Sequence, residues 1–211
     1  MKKLIFLIFS SLLPLMGNKL FHISKKELNK IENKYGKKAI KRIILWDDML
    51  QSIQNDTETN KLKVVNDFFN KIKYVPDKRV WKTKDYWASP FEFLGVGAGD
   101  CEDYAIAKYF ALRVVGISDK KLKITYVKLK HNGTAHMVLN YYNKPSSKPI
   151  VLDNMSKMAK FDIVTSKFNP IYSFNSSGVW LVENKTKNLI LQGNNKLKKW
   201  KSIISKISQF S

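Results

Sequence analysis

Gly97-Ala98-Gly99-Asp100-Cys101-Glu102-Asp103-Tyr104-Ala105 is the stretch from which the rest of the chain is best read. Gly95, Gly97 and Gly99 break up the apolar turn before it and loosen the backbone on its approach to the cysteine. From Cys101 to about Val115, good helix formers such as Ala105, Ala107, Ala111 and Leu112 predict a helix that stops at Gly116, a favoured residue just past a helix end. Cys101 is thus expected at a helix N-terminus, where unsatisfied N–H groups and the positive end of the macrodipole favour thiolate over thiol. The same helix start can aim a backbone N–H at a tetrahedral oxyanion, and the glycines would let a substrate backbone come close.

Upstream of this stretch the pattern is helical. Ser24-Lys25-Lys26-Glu27 is a capping box, so a first helix starts there and breaks at Gly36. Ala39, Ile43, Ile44, Trp46, Met49, Leu50 and Ile53 predict a second helix to about Gln54, and Leu62, Val65, Phe68, Phe69 and Ile72 a third. Between Tyr74 and Ser89 the period is lost among Pro76, Trp81, Tyr86 and Trp87, which reads as a structured loop, and Pro90 to Leu94 as one helical turn.

Downstream the period changes to two. Leu122, Ile124 and Tyr126 alternate with Lys123 and Thr125, and further strands are expected at Met137 to Leu139, Ile150 to Leu152, Ile171 to Phe174 and Val179 to Val182. The alternation slips after Tyr126, since Val127 and Leu129 take the opposite parity; a bulge, or a strand buried on both faces, explains this. Leu197, Trp200, Ile203, Ile204 and Ile207 return to helical spacing. Helices, then an antiparallel sheet, then a terminal helix make an α+β arrangement.

A cysteine nucleophile needs a base that also protonates the leaving amine, and histidine is the usual one. His136 opens a strand and can be held rigidly, whereas His131 sits in a turn and His22 lies near the N-terminus. Asp153 closes the strand Ile150 to Leu152, which on an adjacent antiparallel strand would bring it beside His136 to orient the ring. Cys101, His136 and Asp153 are therefore the expected catalytic groups. Trp87 and Trp81 are candidates to line the cleft, and the Trp87 indole N–H to complete an oxyanion hole, although core packing is the commoner use of such residues.

The formal net charge is +21, yet only Arg42, Arg79 and Arg113 are arginines. Nucleic-acid readers lean on the arginine fork, so this lysine excess reads as a solvated surface, and no nucleic-acid partner is expected. Met1-Lys2-Lys3 followed by the apolar run Leu4 to Met16 resembles a signal peptide and is too short for a comfortable membrane span. Residues 1–17 are set apart on that basis, and 18–211 are expected to form a single domain of an exported protein. With one cysteine, an internal disulfide is impossible.

Together Gly97 to Ala105, His136-Met137-Val138-Leu139 and Val151-Leu152-Asp153-Asn154 resemble the bacterial transglutaminase-like cysteine proteinases, periplasmic proteases of the LapG type. The resemblance spans about residues 40–185, and its motifs are specific in combination only. It implies a papain-like or transglutaminase-like fold with a Cys-His-Asp triad on Cys101, His136 and Asp153. It further implies cleavage of a large surface adhesin near its N-terminus, promoting biofilm dispersal, under an inner-membrane cyclic-di-GMP receptor that sequesters the protease. Finally it implies a need for calcium, with Asp100, Glu102 and Asp103 as ligands; hard carboxylate oxygens suit Ca²⁺ and would repel one another without a cation. The plainer alternative is that Glu102 and Asp103 complement the helix dipole and Asp100 is an N-cap. Two other functions stay open: a transglutaminase or amidase that resolves the same thioester with an amine, or a binding module that keeps the fold without the chemistry.

Overall fold

The computed structural model describes residues 24–155, 167–181 and 195–208; the expected signal segment and Val182 lie outside the described residues. Helix α1 (Lys25–Tyr35) starts where the capping box predicts, with Glu27 N–H donating to Ser24 Oγ at 3.3 Å and Ser24 N–H to Glu27 Oε2 at 2.7 Å. Gly36, at φ +80°, ends it and leads into α2 (Lys37–Ser52). Ala39, Ile43, Trp46 and Leu50 recur every three or four residues and form the buried face of α2. Helix α3 (Glu58–Phe69), capped by Thr57, buries Leu62, Val65, Asn66 and Phe69.

The region expected to be a structured loop carries two short elements, β1 (Lys73–Tyr74) and the single turn α4 (Asp77–Val80). Helix α5 (Pro90–Val96) extends the expected turn, with a Ser89–Glu92 capping box and proline in its first turn. It closes at Gly97, a left-handed residue at φ +73° where a Cβ would also come within 2.6 Å of the Arg42 guanidinium. The pair β1 and β2 (Ala98–Gly99) is parallel, and it fastens the loop to the residue preceding Asp100.

Helix α6 (Cys101–Val114) is the centre of the molecule. Every residue from Asp103 to Leu112 is buried, so it is covered on all sides, as its alanines and aromatics permit. One face meets α3 and α5, and another meets the five-stranded antiparallel sheet, whose order is β5-β4-β3-β6-β7. The strands are β3 (Leu122–Leu129), β4 (Ala135–Tyr141), β5 (Ile150–Leu152), β6 (Phe168–Asn175) and β7 (Gly178–Leu181). Leu112, with no exposed surface, shows what this core is worth: truncation to alanine in such a site costs about 2–5 kcal/mol.

Both explanations for the parity slip in β3 hold. Its pairing with β6 shifts register between Tyr126 and Val127. Its two faces are also both covered: Leu122 and Ile124 join the main core, while Val127 and Leu129 join Val138, Val151 and Phe168 in a second cluster. Helix α7 (Asn195–Ser208) returns to the main core through Trp200, Ile203 and Ile207, with the Trp200 ring 5.3 Å from that of Phe174. The order of elements is the α+β order read from the sequence.

Candidate active site

The register of β4 and β5 sets the first half of the site. Leu139 pairs with Leu152, so Asp153, the residue after β5, lies beside the start of β4 where His136 stands. His136 Nε2 and Asp153 Oδ1 are 2.8 Å apart, with side chains only 6% and 13% exposed. The Asp153 carboxylate also accepts the Met155 N–H at 3.0 Å, and its backbone carbonyl accepts the Asn70 side-chain amide at 2.9 Å. Burial works to raise the Asp153 pKa, but the hydrogen bond and charge of His136 outweigh it and hold the carboxyl below its ordinary value. An ionised carboxylate on Nε2 keeps the ring proton there and leaves Nδ1 as the basic nitrogen.

Cys101 is the first residue of α6, as expected. Its Sγ lies 3.1 Å from Glu102 Oε2 and receives the backbone N–H of Met137, the residue next to His136. Its surroundings act against the helix dipole. Burial pushes the thiol pKa up, and the neighbouring Glu102 and Asp100 charges add to the shift.

Those carboxylates belong to a larger group. Oxygens of Asp77, Asp100 and Asp103 lie within 4.8 Å of one another, as do those of Asp77, Asp85 and Glu102, and Asp100 and Glu102 group likewise with Cys101 Sγ. Burial and mutual repulsion lift Asp77 to about 6 and Asp100 to about 8. Asp77 Oδ1 and Asp100 Oδ1 are buried, and among the described residues no donor reaches either.

Asp103 differs from its neighbours because both of its oxygens are engaged by backbone. They accept the N–H of Ala88 at 2.8 Å and of Asp100 at 3.2 Å, so it braces the loop against the helix start. Gly99 makes room for this, since a Cβ there would come within 2.8 Å of the Phe93 ring. Gly97 and Gly99 thus answer to packing inside the protein, where the sequence suggested close approach by a substrate.

Trp87 is 4% exposed and stacks on Phe174 at 5.4 Å, and its indole N–H donates to Asp85 Oδ1 at 3.1 Å. In this arrangement the N–H expected to serve an oxyanion hole is held by Asp85. Trp81 packs against Tyr86 with ring centroids 4.4 Å apart and planes inclined by 30°. Asp77 and Asp85 were not singled out from the sequence. The available signal was two acidic residues in an aromatic-rich loop of a chain with 17 acidic and 38 basic residues.

A partly buried thiol at a helix start, set against the strands that carry a histidine–aspartate pair, is the layout of a papain-like or transglutaminase-like cysteine hydrolase. The comparisons give the same class. The chain belongs to the bacterial transglutaminase-like cysteine proteinases, BTLCP, whose family model matches residues 45–188, and this is a family of cysteine peptidases. Among solved structures it is similar to Legionella pneumophila LapG in its EGTA-treated form, at 35% identity and a TM-score of 0.73, covering 88% of this chain and 98% of that one. It is similar also to calcium-bound Legionella pneumophila LapG, at 34% identity and a TM-score of 0.73, covering 88% and 99%. A search of curated proteins gives no match.

Proposed function

We propose that this protein is a calcium-dependent cysteine endopeptidase in which Cys101, His136 and Asp153 carry the chemistry. The observation that supports it most is the buried 2.8 Å pair of His136 Nε2 and Asp153 Oδ1, on the strand whose next residue donates to Cys101 Sγ. In this reading His136 Nδ1 takes the thiol proton as sulfur attacks the scissile carbonyl. The imidazolium, stabilised by Asp153, then protonates the amine that leaves. The resulting thioester is hydrolysed by water that gives its proton to His136, which restores the thiol.

The residues present fit a hard divalent cation. Asp77 Oδ1 and Asp100 Oδ1 are buried without a donor, and the surrounding set is carboxylate oxygen. Asp77, Asp100 and Glu102, with Asp85 at the rim, are the residues proposed to hold Ca²⁺, the ion bound in the similar Legionella structure. When bound, the ion supplies positive charge that offsets the repulsion among these carboxylates. Asp103 belongs to the same collar with a bracing role of its own.

The resemblance to LapG-type proteases further supports a periplasmic location, a large repeat adhesin as substrate, release of that adhesin in biofilm dispersal, and sequestration by an inner-membrane cyclic-di-GMP receptor. The test is incubation of the protein with an adhesin N-terminal fragment, with calcium or with chelator. Cleavage is expected with calcium, and loss of cleavage with chelator or in Cys101→Ala; undiminished cleavage by Cys101→Ala would sink the reading.

A further inference from the structure

Lys199 belongs to α7, which lies beyond residues 45–188, the stretch that the family model matches, yet its ammonium reaches the acidic site. Its Nζ lies 2.6 Å from Asp85 Oδ1 and donates also to the Asp85 backbone carbonyl. The same ammonium stands 5.9 Å from the centroid of the Trp87 ring, whose indole N–H donates to that Oδ1 at 3.1 Å. Asp85 is thus held by α7 from one side and by its own loop from the other.

The Asp85 carboxylate also belongs with those of Asp77 and Glu102, one oxygen of each lying within 4.8 Å of the others. Asp77 Oδ1 is buried, and among the described residues no donor reaches it. A divalent cation drawn there meets Asp85 already paired with a monovalent one. The two cations repel each other at such short range, and both are attracted by the same carboxylate. The lysine is the weaker contestant, because the side chains of Lys199 and Asp85 are 29% and 53% exposed and solvent screens their attraction. Calcium carries twice the charge and engages several carboxylate oxygens at once.

We propose that Lys199 is a tethered competitor of calcium, its ammonium holding Asp85 at the rim until the ion draws that carboxylate into the cluster with Asp77 and Glu102. This rests on the reading of these acidic residues as a calcium site given above. Lys199 thereby sets the calcium concentration at which the site fills. Linkage makes the effect reciprocal: calcium loosens the grip of Lys199 on the loop by the same factor as Lys199 weakens calcium. The body of α7 stays docked, because Trp200, Ile203 and Ile207 lie in the core and Lys206 pairs with Glu92 at 2.9 Å.

The test is calorimetric titration of the full chain with calcium, at fixed pH and ionic strength, wild type against Lys199→Met. Loss of the ammonium is expected to tighten calcium binding by about two- to fivefold, the range set by an ion pair this exposed. Lys201→Met is the control: Lys201 is exposed and about 200° round the same helix, and its loss should leave the Kd unchanged. In an Asp85→Asn background, which by itself weakens calcium, Lys199→Met should bring no further tightening, since the contested carboxylate is gone. Unchanged or weaker binding in Lys199→Met overturns the proposal, and so does equal tightening in Lys201→Met or in the Asp85→Asn background. Should Lys199→Met fail to fold, Lys199→Gln removes the charge while keeping a polar end, and its Kd is read in the same way. Failure of the underlying calcium reading looks different, because the wild type itself would then bind no calcium.

Discussion

On the β4 side of Cys101, His136 and Asp153 meet as complementary groups, and the carboxyl is held below its ordinary pKa. On the loop side, Asp77, Asp100 and Glu102 meet carboxylate against carboxylate, and all three are shifted upward, with burial the largest cause. Both clusters are withdrawn from solvent, so the difference lies in how each is compensated. The first carries its counter-charge within the chain, whereas the second is complete only with positive charge from outside. The thiol between them touches both, through the Met137 N–H on one side and Glu102 on the other.

Breaking the complementary side should cost most. His136→Ala is expected to lower kcat/KM for peptide cleavage by about a thousandfold or more, measured at saturating calcium. Asp100→Asn at the same calcium concentration should lose less and should shift the calcium concentration needed for half-maximal activity upward. Equal losses in the two variants, with no shift in calcium requirement, would remove the distinction between the two sides.

Asp103 sharpens the comparison, because it sits in the acidic collar yet is fully buried and satisfied by two backbone N–H groups. Asp103→Ala leaves both donors without an acceptor and should destabilise the protein by about 3 kcal/mol in urea unfolding, with or without calcium. A loss seen only with calcium would make Asp103 a ligand before a brace.

A smaller effect carries opposite signs. In the presence of chelator, Asp100→Asn relieves repulsion and should raise unfolding stability by about 1 kcal/mol, while Asp153→Asn should lower it by a similar amount. Chelator-phase urea melts of both variants decide this, and a loss in both would show the collar to be stabilising without a cation.

The smallest expected effect is the acid limb of stability. Asp153 has a folded pKa below its unfolded value, so its pairing contributes fully above about pH 4 and is lost as pH falls through the folded pKa. Asp153→Asn should flatten this limb relative to wild type in urea melts between about pH 5 and pH 2.

Much of this architecture was legible residue by residue. Ser24 with Glu27, Gly36, the alanines after Cys101 and Gly116 mark helix ends because capping and backbone freedom are local properties. The slip of parity at Val127 announced both the register shift and the second cluster. Asp77, Asp85 and Lys108 were not legible: in a chain with so many charges, a carboxylate in a loop or a lysine on a helix looks like solvated surface until the packing is known. The stacking of Trp87 on Phe174 was hidden for a similar reason, since only the fold brings the two rings together.

What the amino-acid order by itself determined is the sequence of elements and the position of Cys101 at the head of α6, because helix starts, turns and strand periods are written within a few residues. The pairing of His136 with Asp153 was foreseeable as a possibility of adjacent strands. The charge state of the thiol was not, since it depends on burial and on carboxylates that arrive from a separate loop. Tertiary structure alone decided how far the thiol is withdrawn from solvent and which carboxylates stand beside it, because desolvation and Coulomb effects act through space and leave no local mark on the sequence.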